Sequence, residues 1–238
     1  MSNDYFAFRR FTVIQDRCAM KVGTDGVLLG AWTEVKNAER ILDVGTGTGL
    51  IALMCAQRSD SFIDAVEIDP DASDQATVNF KNSPWKDRIQ VYCKPFQQYA
   101  LETLFTYDVI VSNPPYFRNS LKPPDGKRSL ARHDDRLDAE TLIHNSIKLL
   151  SPTGHLAVIL PYDQSDQFIN HAWFNQLYVY RKSTVRPYPG KNFTRCLVEF
   201  GRQHTANFET NEILIRKGEK DGYSEEYRDL TADFYLNI

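Results

Sequence analysis

Long hydrophobic segments are missing from the 238-residue sequence. The longest uninterrupted apolar run, residues 50–56, is far shorter than the roughly 20 residues that a membrane-spanning helix needs. The first ten residues contain an acidic side chain and no apolar stretch, so they lack the pattern of a secretion signal. We therefore expect a cytoplasmic protein with no membrane partner.

Cysteine and histidine are scarce and scattered. The four cysteines, at positions 18, 55, 93 and 196, form no C-x-x-C pair. No two of the five histidines stand within one helical turn of each other. These spacings disfavour a disulfide framework, a zinc knuckle and a helical histidine pair. Reduced thiols and no bound metal are expected.

An excess of basic charge is also lacking. The 28 Lys and Arg residues against 31 Asp and Glu residues give a formal net charge of −3. A nucleic-acid site would therefore depend on a local basic patch rather than on overall charge. Apolar residues make up 42% of the chain, which excludes a mainly disordered protein.

Short apolar runs alternate with segments of helical periodicity from residue 41 onward. The predicted strands are 41–45, 62–68, 89–93, 107–112 and 155–160, and the predicted helices are 50–58, 70–80 and 137–150. This alternation predicts βαβ units and a mostly parallel, doubly wound α/β sheet. Two further strands, 178–185 and 196–200, have no room for a helix between them, which predicts an antiparallel hairpin at one edge of a seven-stranded sheet.

No linker or repeat interrupts the chain, so a single domain spanning residues 1–238 is predicted. It divides into an N-terminal extension, residues 1–40, and a core, residues 41–238. Nothing in the sequence specifies an oligomer, and a monomer is the default expectation.

The segment Asp43-Val44-Gly45-Thr46-Gly47-Thr48-Gly49 directly follows a predicted strand and opens a helix. Glycines there allow a tight turn and a close approach of the backbone to a ligand. The spacing is G-x-G-x-G and not the G-x-G-x-x-G of nicotinamide dehydrogenases, which fit poorly. A purely structural glycine turn is the alternative. Asp43 could accept from backbone amides or face the ammonium of an amino-acid ligand.

An acidic residue, Glu67, ends the next predicted strand, 18 residues after Gly49. A carboxylate at this place can accept hydrogen bonds from both ribose hydroxyls of a nucleoside ligand. The order of strand, glycines, helix, strand and acid favours a nucleoside site over a structural turn.

The tetrapeptide Asn113-Pro114-Pro115-Tyr116 follows the fourth predicted strand. Ligands of doubly wound sheets bind at the carboxyl ends of the strands, which is where this tetrapeptide lies. The two prolines fix the backbone and leave carbonyl groups without neighbouring donors. An amide side chain, the Pro114 carbonyl and an aromatic face can together hold a planar amino group.

These residues resemble the class I S-adenosylmethionine-dependent amino-methyltransferases, which have a Rossmann-like fold. Further segments resemble one family, the tRNA1(Val) adenine-N6 methyltransferases, which modify the adenine just 3′ of the anticodon (position 37). They are 11–32, with Asp16-Arg-Cys-Ala-Met-Lys-Val-Gly-Thr-Asp-Gly26, then 63–67, 83–85 and 223–235. The likeness extends over nearly the whole chain, and the two terminal blocks are specific to the family.

The resemblance implies S-adenosylmethionine as the cofactor, S-adenosylhomocysteine as its product and tRNA as the partner. It places Asn113, Pro114 and Tyr116 on the substrate adenine. The implied cofactor-binding residues are Lys21, Thr24, Asp25, Asp43, Gly45, Thr46, Gly47, Gly49, Glu67, Ile68, Phe96 and Asn113. The extension, through Lys21 to Gly26, is expected to cover the methionine end. The chain departs from the family where Pro95 stands in place of the usual Asp, which removes an expected acceptor for the cofactor's adenine amino group.

Two basic stretches flank the predicted pocket. Residues 114–132 contain five basic residues against one acid, and residues 181–202 contain six against one. Aromatic residues lie among the second set and could stack on loop bases. The alternative is two solvated surface loops. The predicted RNA-binding residues are Arg118, Lys122, Lys127, Arg128, Arg132, Arg186, Lys191 and Arg195.

Three other functions stay open. A glutamine-N5 methyltransferase would use the same tetrapeptide on a side-chain amide, but that family carries an extra N-terminal helical domain, for which 40 residues are too few. A DNA amino-methyltransferase would need a separate target-recognition domain after the core. A non-catalytic tRNA-binding protein would not need the intact Asn113–Tyr116 tetrapeptide.

Overall fold

A computed structural model describes residues 3–18, 20–115, 137–204 and 207–237. Its strands are β1 Tyr5–Ala7, β2 Thr12–Ile14, β3 Arg40–Val44, β4 Phe62–Glu67, β5 Ile89–Cys93, β6 Tyr107–Ser112, β7 Leu150–Pro161, β8 Tyr178–Arg186, β9 Arg195–Gly201 and β10 Glu209–Leu214. Its helices are α1 Thr24–Trp32, α2 Leu50–Arg58, α3 Pro70–Lys81, α4 Phe96–Glu102, α5 Ala139–Leu149, α6 Tyr162–Phe174 and α7 Glu225–Thr231.

The main sheet has the strand order β10-β8-β9-β7-β6-β3-β4-β5. Strands β5, β4, β3, β6 and β7 run parallel to one another, and β9 is antiparallel to both β7 and β8. The chain builds outward from β3 through β4 to β5 and then returns to the other side of β3 with β6. The order therefore reverses between β3 and β6, where doubly wound folds bind their ligands.

Both faces of the sheet are covered by helices, because the central strands are apolar on both sides. Ile41 and Val109 point into a core formed with α1, α2, α3 and α7. Their neighbours Leu42 and Ile110 point into a second core formed with α4, α5 and α6. Continuous apolar strands of this kind are typical of a buried parallel sheet. None of the helices in the described ranges is long and apolar enough to cross a membrane.

The predicted Rossmann-like α/β class, the parallel strands and the antiparallel hairpin are confirmed. The predicted count of seven strands is wrong, because β10 adds an eighth beyond the hairpin. This strand pairs with β8 in parallel, so that Glu209 lies opposite Arg181. The hairpin of β8 and β9 therefore lies inside the sheet rather than at its edge.

The first 40 residues form a separate two-stranded sheet, β1 with β2, followed by helix α1. Asn79 of α3 joins this sheet to the glycine turn. It accepts from the Ile14 amide at 2.8 Å, and its own amide group donates to the carbonyls of Ile14 (2.9 Å) and Thr48 (2.8 Å). The extension is thus hydrogen-bonded to the helix that follows the Glu67 strand.

Candidate active site

The reversal point of the sheet brings the glycine turn beside the start of the Asn-Pro-Pro-Tyr tetrapeptide. Val44 pairs with Ser112 in register, and the Ser112 hydroxyl donates to the Val44 carbonyl at 2.8 Å. Gly45 and Asn113 each directly follow these paired residues. Neighbouring strands lie about 4.8 Å apart, so the two predicted halves of the site adjoin each other at the carboxyl edge of the sheet.

The glycine turn requires glycine at three positions. Gly45, Gly47 and Gly49 have φ angles of 74°, 55° and 84°, in the left-handed region that other residues seldom adopt. A Cβ on Gly49 would overlap the Phe80 ring, whereas a Cβ on Gly47 would meet no atom within 4 Å. Gly49 is therefore needed for packing of α2 against α3, and Gly47 faces open space.

Asp43 is fully buried at the end of β3. Its Oδ2 accepts from the Thr46 hydroxyl at 2.6 Å and from the Ala52 amide at 3.2 Å. Its Oδ1 is buried and has no hydrogen-bond partner among the described residues. Burial raises the pKa of Asp43 to about 7, against the opposing effect of those two hydrogen bonds. Of the two roles considered for Asp43, acceptance from a backbone amide is observed.

Glu67 joins the glycine turn to the start of α3. Its Oε2 accepts from the Gly47 amide at 2.8 Å, and its Oε1 accepts from the amides of Ile68 (2.8 Å) and Asp69 (3.0 Å). A carboxylate offers about four acceptor positions, so capacity for a ligand hydroxyl remains. The residue is 8% exposed.

The segment between β2 and α1 lies beside Glu67. Cys18 is buried, and the pKa of its thiol is raised to about 11, first by burial and then by the charges of Glu67, Asp69, Asp16 and Asp71. These carboxylates give this edge of the site a negative potential that favours a cationic ligand.

Of the three residues expected to cover the methionine end of the cofactor, Lys21 and Thr24 are exposed, whereas Asp25 is in an ion pair. The Lys21 ammonium donates to the Asn3 carbonyl at 3.3 Å and is exposed to solvent, as is Thr24 at the start of α1. Asp25, in the first turn of α1, forms an ion pair with Arg195 at 2.8 Å. Asp25 is thus joined to β9.

The two apolar residues expected to contact the cofactor, Ile68 and Phe96, differ in burial. Ile68 is 47% exposed, which suits a side chain that covers an apolar ligand face. Phe96 is buried in the core with Val66 and Tyr99. Pro95 precedes α4 as its N-cap residue and provides no side-chain hydrogen bond.

Of the substrate-side candidates, Asn113 is half-buried and Pro114 is buried at the end of β6. Tyr116 lies outside the described residues, as do Arg118, Lys122, Lys127, Arg128 and Arg132. The groups of acidic, histidine and cysteine side chains within the described ranges include none that could hold a metal ion.

The second basic stretch is less positive than its sequence indicates. Arg186 pairs with Glu212 at 2.7 Å, and Arg195 pairs with Asp25. Lys191 is exposed, with its ammonium 5.5 Å from the centroid of the Tyr188 ring. The count of six basic residues against one acid covers residues 181–202 only. It omits the acidic partners of Arg186 and Arg195 because these lie in other segments of the chain.

Sequence reasoning missed the residues that hold the extension in place. Gln15 is 5% exposed, and its side chain accepts from the Val22 amide at 2.8 Å and donates to the Asn3 carbonyl at 2.9 Å. Together with Asn79 it fixes the segment that contains Cys18 and Lys21. Buried amides have no periodicity or spacing of their own, so the only available signal was the place of Gln15 directly before the 16–26 block.

Comparison with known proteins identifies the family. Residues 20–184 match the family model described as the methyltransferase small domain. A tRNA1(Val) (adenine(37)-N6)-methyltransferase of Parabacteroides distasonis is 48% identical over 238 residues, covering 100% of both chains. One of the same name from Bacteroides fragilis is 47% identical over 241 residues, again with 100% coverage of both.

Among solved structures, a predicted O-methyltransferase from Agrobacterium tumefaciens has a TM-score of 0.70 at 17% identity, with 90% of this chain and 100% of that chain covered. This likeness supports the class I methyltransferase fold. The sequence identities over the full length support a narrower assignment. The chain belongs to the tRNA1(Val) (adenine(37)-N6)-methyltransferase family of class I methyltransferases.

Proposed function

We propose that this protein methylates the N6 amino group of the adenine at position 37 of a valine tRNA, with S-adenosylmethionine as the methyl donor and S-adenosylhomocysteine as the product. The observation that carries the proposal is the adjacency of Asn113 to the Gly45 turn across the reversal point of the sheet. This adjacency brings an amide acceptor for a planar amino group next to a glycine-rich ligand site. Relatives of the same name cover the full chain.

The residues of the glycine turn fit the donor. The unpartnered Oδ1 of Asp43 suits the ammonium of its methionine part, and Glu67 has acceptor capacity for a ribose hydroxyl. Gly45 and Gly47 leave the backbone open to a ligand, and Thr46 and Gly49 hold the turn. When bound, this cofactor supplies a methyl group that its sulfonium makes electrophilic.

The remaining cofactor candidates have supporting roles in the proposal. Ile68 covers the adenine from its exposed position, and Phe96 supports that contact from the core. Pro95 cannot accept from the adenine amino group through its side chain, so recognition there depends on packing. Lys21, Thr24 and Asp25 close the methionine end, and the extension thereby covers the cofactor site.

On the substrate side, the oxygen of the Asn113 side chain and the carbonyl of Pro114 accept hydrogen bonds from the adenine amino group. Both bonds draw its nitrogen toward tetrahedral geometry and turn its lone pair toward the methyl group. Positioning of this kind supplies much of the rate. Tyr116 stacks on the base, which must leave its neighbours to reach the pocket. The amine becomes acidic only after transfer, so no strong base is required beforehand.

The tRNA is held by basic residues near the pocket. Within the described ranges these are Arg186, Lys191 and Arg195, and the proposal adds Arg118, Lys122, Lys127, Arg128 and Arg132. Because the overall charge is −3, phosphate contacts of this local kind must supply the attraction. The cytoplasm, where tRNA is modified, is the proposed location.

The test is transfer of labelled methyl from S-adenosylmethionine to total tRNA from a strain that lacks this protein, followed by nucleoside mass spectrometry. We expect labelled N6-methyladenosine in the tRNA. Label in protein with none in RNA would instead support a glutamine methyltransferase. Cofactor binding without transfer to either would indicate a protein that only binds tRNA.

A further inference from the structure

A second cleft opens at the same edge of the sheet as Asn113. Its volume is about 750 Å³, within the range of ligand pockets. It is formed where β7 and β8 end and where β9 begins, and its lining includes Tyr162, Gln164, Arg186, Asn192, Phe193 and Arg195. We call it the Tyr162 cleft. In the order β6-β7-β9-β8, its middle strand β9 lies two strand spacings, about 10 Å, from β6, the strand that Asn113 follows.

The Tyr162 cleft contains a ready-made stacking surface. The rings of Tyr162 and Phe193 lie 5.1 Å apart between centroids, and the Arg186 guanidinium lies 4.2 Å from the centroid of the Phe193 ring. The ion pair with Glu212 holds this guanidinium in place. Tyr162 is 40% exposed, so part of its ring is open to solvent. Aromatic rings and guanidinium planes are the surfaces on which proteins stack unpaired bases.

The cleft also contains an unused acceptor. The Oε1 atom of Gln164 is buried without a hydrogen-bond partner in the part of the chain that the structure describes. Buried amide oxygens normally have a donor. The residue lines the cleft, and the terminal torsion of a glutamine is broad, so rotation of the amide is the movement that would bring this oxygen to a group in the cleft.

The start of α6 provides donors in the same place. Pro161 is its N-cap residue and makes no side-chain cap, while the Tyr162 amide donates to the Thr194 carbonyl at 3.1 Å. The following amides, of Asp163 and Gln164, have no partner within the helix and can donate to a phosphate, against the opposing charge of the Asp163 carboxylate in the same turn. The stacking surface and the base-edge acceptor match the base of a nucleotide, and the amides at the helix start are donors for its phosphate.

We propose that the Tyr162 cleft binds an unstacked nucleotide that flanks the methylated adenine in the same RNA loop. Its base stacks on Tyr162 and Arg186, and a base N–H donates to Gln164 Oε1. The inference rests on the proposed function and extends it, because it makes a base other than the target part of substrate recognition. A single-stranded loop can place neighbouring bases in two pockets once its bases are unstacked.

The experiment uses anticodon stem-loop RNAs in which each loop nucleotide other than the target adenosine is made abasic in turn. With the unaltered protein, one flanking position is expected to lower kcat/KM about tenfold or more, as loss of a stacked base does. Tyr162→Ala and Gln164→Leu are each expected to lower kcat/KM about tenfold on intact RNA. With either variant, the penalty at that abasic position should largely disappear, because the contact is already lost.

Gln167→Leu is the matched control, since it makes the same change at an exposed position of α6 outside the cleft. It should keep the activity and the abasic penalty of the unaltered protein. Cofactor affinity and melting temperature, measured for every variant, separate loss of RNA recognition from loss of folding. Tyr162→Ala changes an exposed side chain, so it tests the cleft even if Gln164→Leu destabilises α6.

Two results would overturn the inference. If cleft variants and abasic positions reduce kcat/KM independently, so that their penalties multiply, the cleft does not contact a flanking base. If no flanking position matters to the unaltered protein, there is no second base to bind. In both cases RNA is still methylated and the proposed function stands, whereas an absence of methyl transfer to any RNA would overturn both.

Discussion

The amide of Gly47 donates to Glu67 Oε2 at 2.8 Å, which joins the glycine turn after β3 to the acid at the end of β4. Glu67 also accepts from the two amides that begin the connection to α3. The carboxylate is therefore fixed before any ligand arrives. A fixed acceptor loses little conformational entropy when a ribose hydroxyl binds, so the residue is suited to recognition.

This arrangement predicts that Glu67→Ala weakens S-adenosylmethionine binding by about 1.5–3 kcal/mol, because a charge-assisted hydrogen bond is lost. Isothermal titration calorimetry measures the effect. The control is Glu102→Ala, which removes an exposed carboxylate that pairs with Lys94 on the surface. Because Glu67→Ala also leaves backbone amides without an acceptor, its melting curve must show a folded protein. An unchanged affinity would mean that Glu67 does not bind the ribose.

Asn113→Ala is expected to lower kcat by about 10²–10³-fold or more while leaving cofactor affinity nearly unchanged, because we propose that its amide accepts from the substrate amine. Methyl transfer and calorimetry on the same preparation test both halves. Asn82→Ala, at the exposed C-cap of α3, is the matched control and should behave as the unaltered protein does. Near-normal turnover of Asn113→Ala would remove this residue from the mechanism.

The proposed contact of Asp43 with the cofactor ammonium predicts that cofactor binding depends on pH. Burial raises its pKa from 3.8 to about 7, so the folded protein keeps this proton at pH values where the unfolded chain has lost it. Its contribution to the free energy of unfolding is therefore present below pH 3.8 and is lost as the pH rises toward 7. A cationic ligand group prefers the ionised form, so cofactor affinity should fall by up to about tenfold per pH unit below pH 7.

Calorimetric titrations from pH 5.5 to pH 8 test this dependence. Asp43→Asn cannot ionise, so its affinity should be weak and nearly constant over the same range. An affinity of the unaltered protein that does not change with pH would show that Asp43 stays away from the ammonium.

Two glycines of the same turn should respond differently to alanine. At Gly49 the new Cβ would lie 2.7 Å from Phe80 Cζ, so crowding of about 1–3 kcal/mol adds to the cost of a left-handed backbone, about 1–2 kcal/mol. At Gly47 the new Cβ would meet no atom within 4 Å, so only the cost of the left-handed backbone applies. Thermal melting should therefore show the larger loss for Gly49→Ala. Equal decreases in melting temperature for the two variants would mean that α3 shifts away from the new methyl group at no cost in stability.

Secondary structure was predicted best for strands that are buried on both faces. Strands β3 and β6 are apolar on both faces, so both were predicted as strands, and the glycines and Asn113 were correctly expected at their carboxyl ends. Strand β10 was missed because Glu209–Leu214 is mostly polar and exposed, with Ile213 as its one buried residue. Helix α1 was missed because seven of its nine residues are buried. A helix without a polar face shows no alternation of polar and apolar residues with a helical period.

The electrostatics of the candidate site were harder to predict than its backbone. Arg195 lies in a basic stretch of the sequence, yet its partner Asp25 is 170 positions away. Similarly, Arg186 meets Glu212 from a strand that was not predicted. Charges counted along a sequence omit partners that only the folded sheet brings together. The unpartnered oxygen of Asp43 could not be predicted either, because it depends on how the folded chain buries this side chain and not on the neighbouring residues in the sequence.

The central claim is that the methyl group reaches the amino nitrogen of the adenine just 3′ of the anticodon. The most direct measurement is methyl transfer to a valine tRNA anticodon stem-loop, compared with the same RNA in which purine riboside replaces that adenosine. The account predicts one methyl group, mapped by fragment mass spectrometry to that adenosine, and none in the RNA that lacks the amino group. Equal methylation of both RNAs, or a methyl group on another nucleotide, would contradict it.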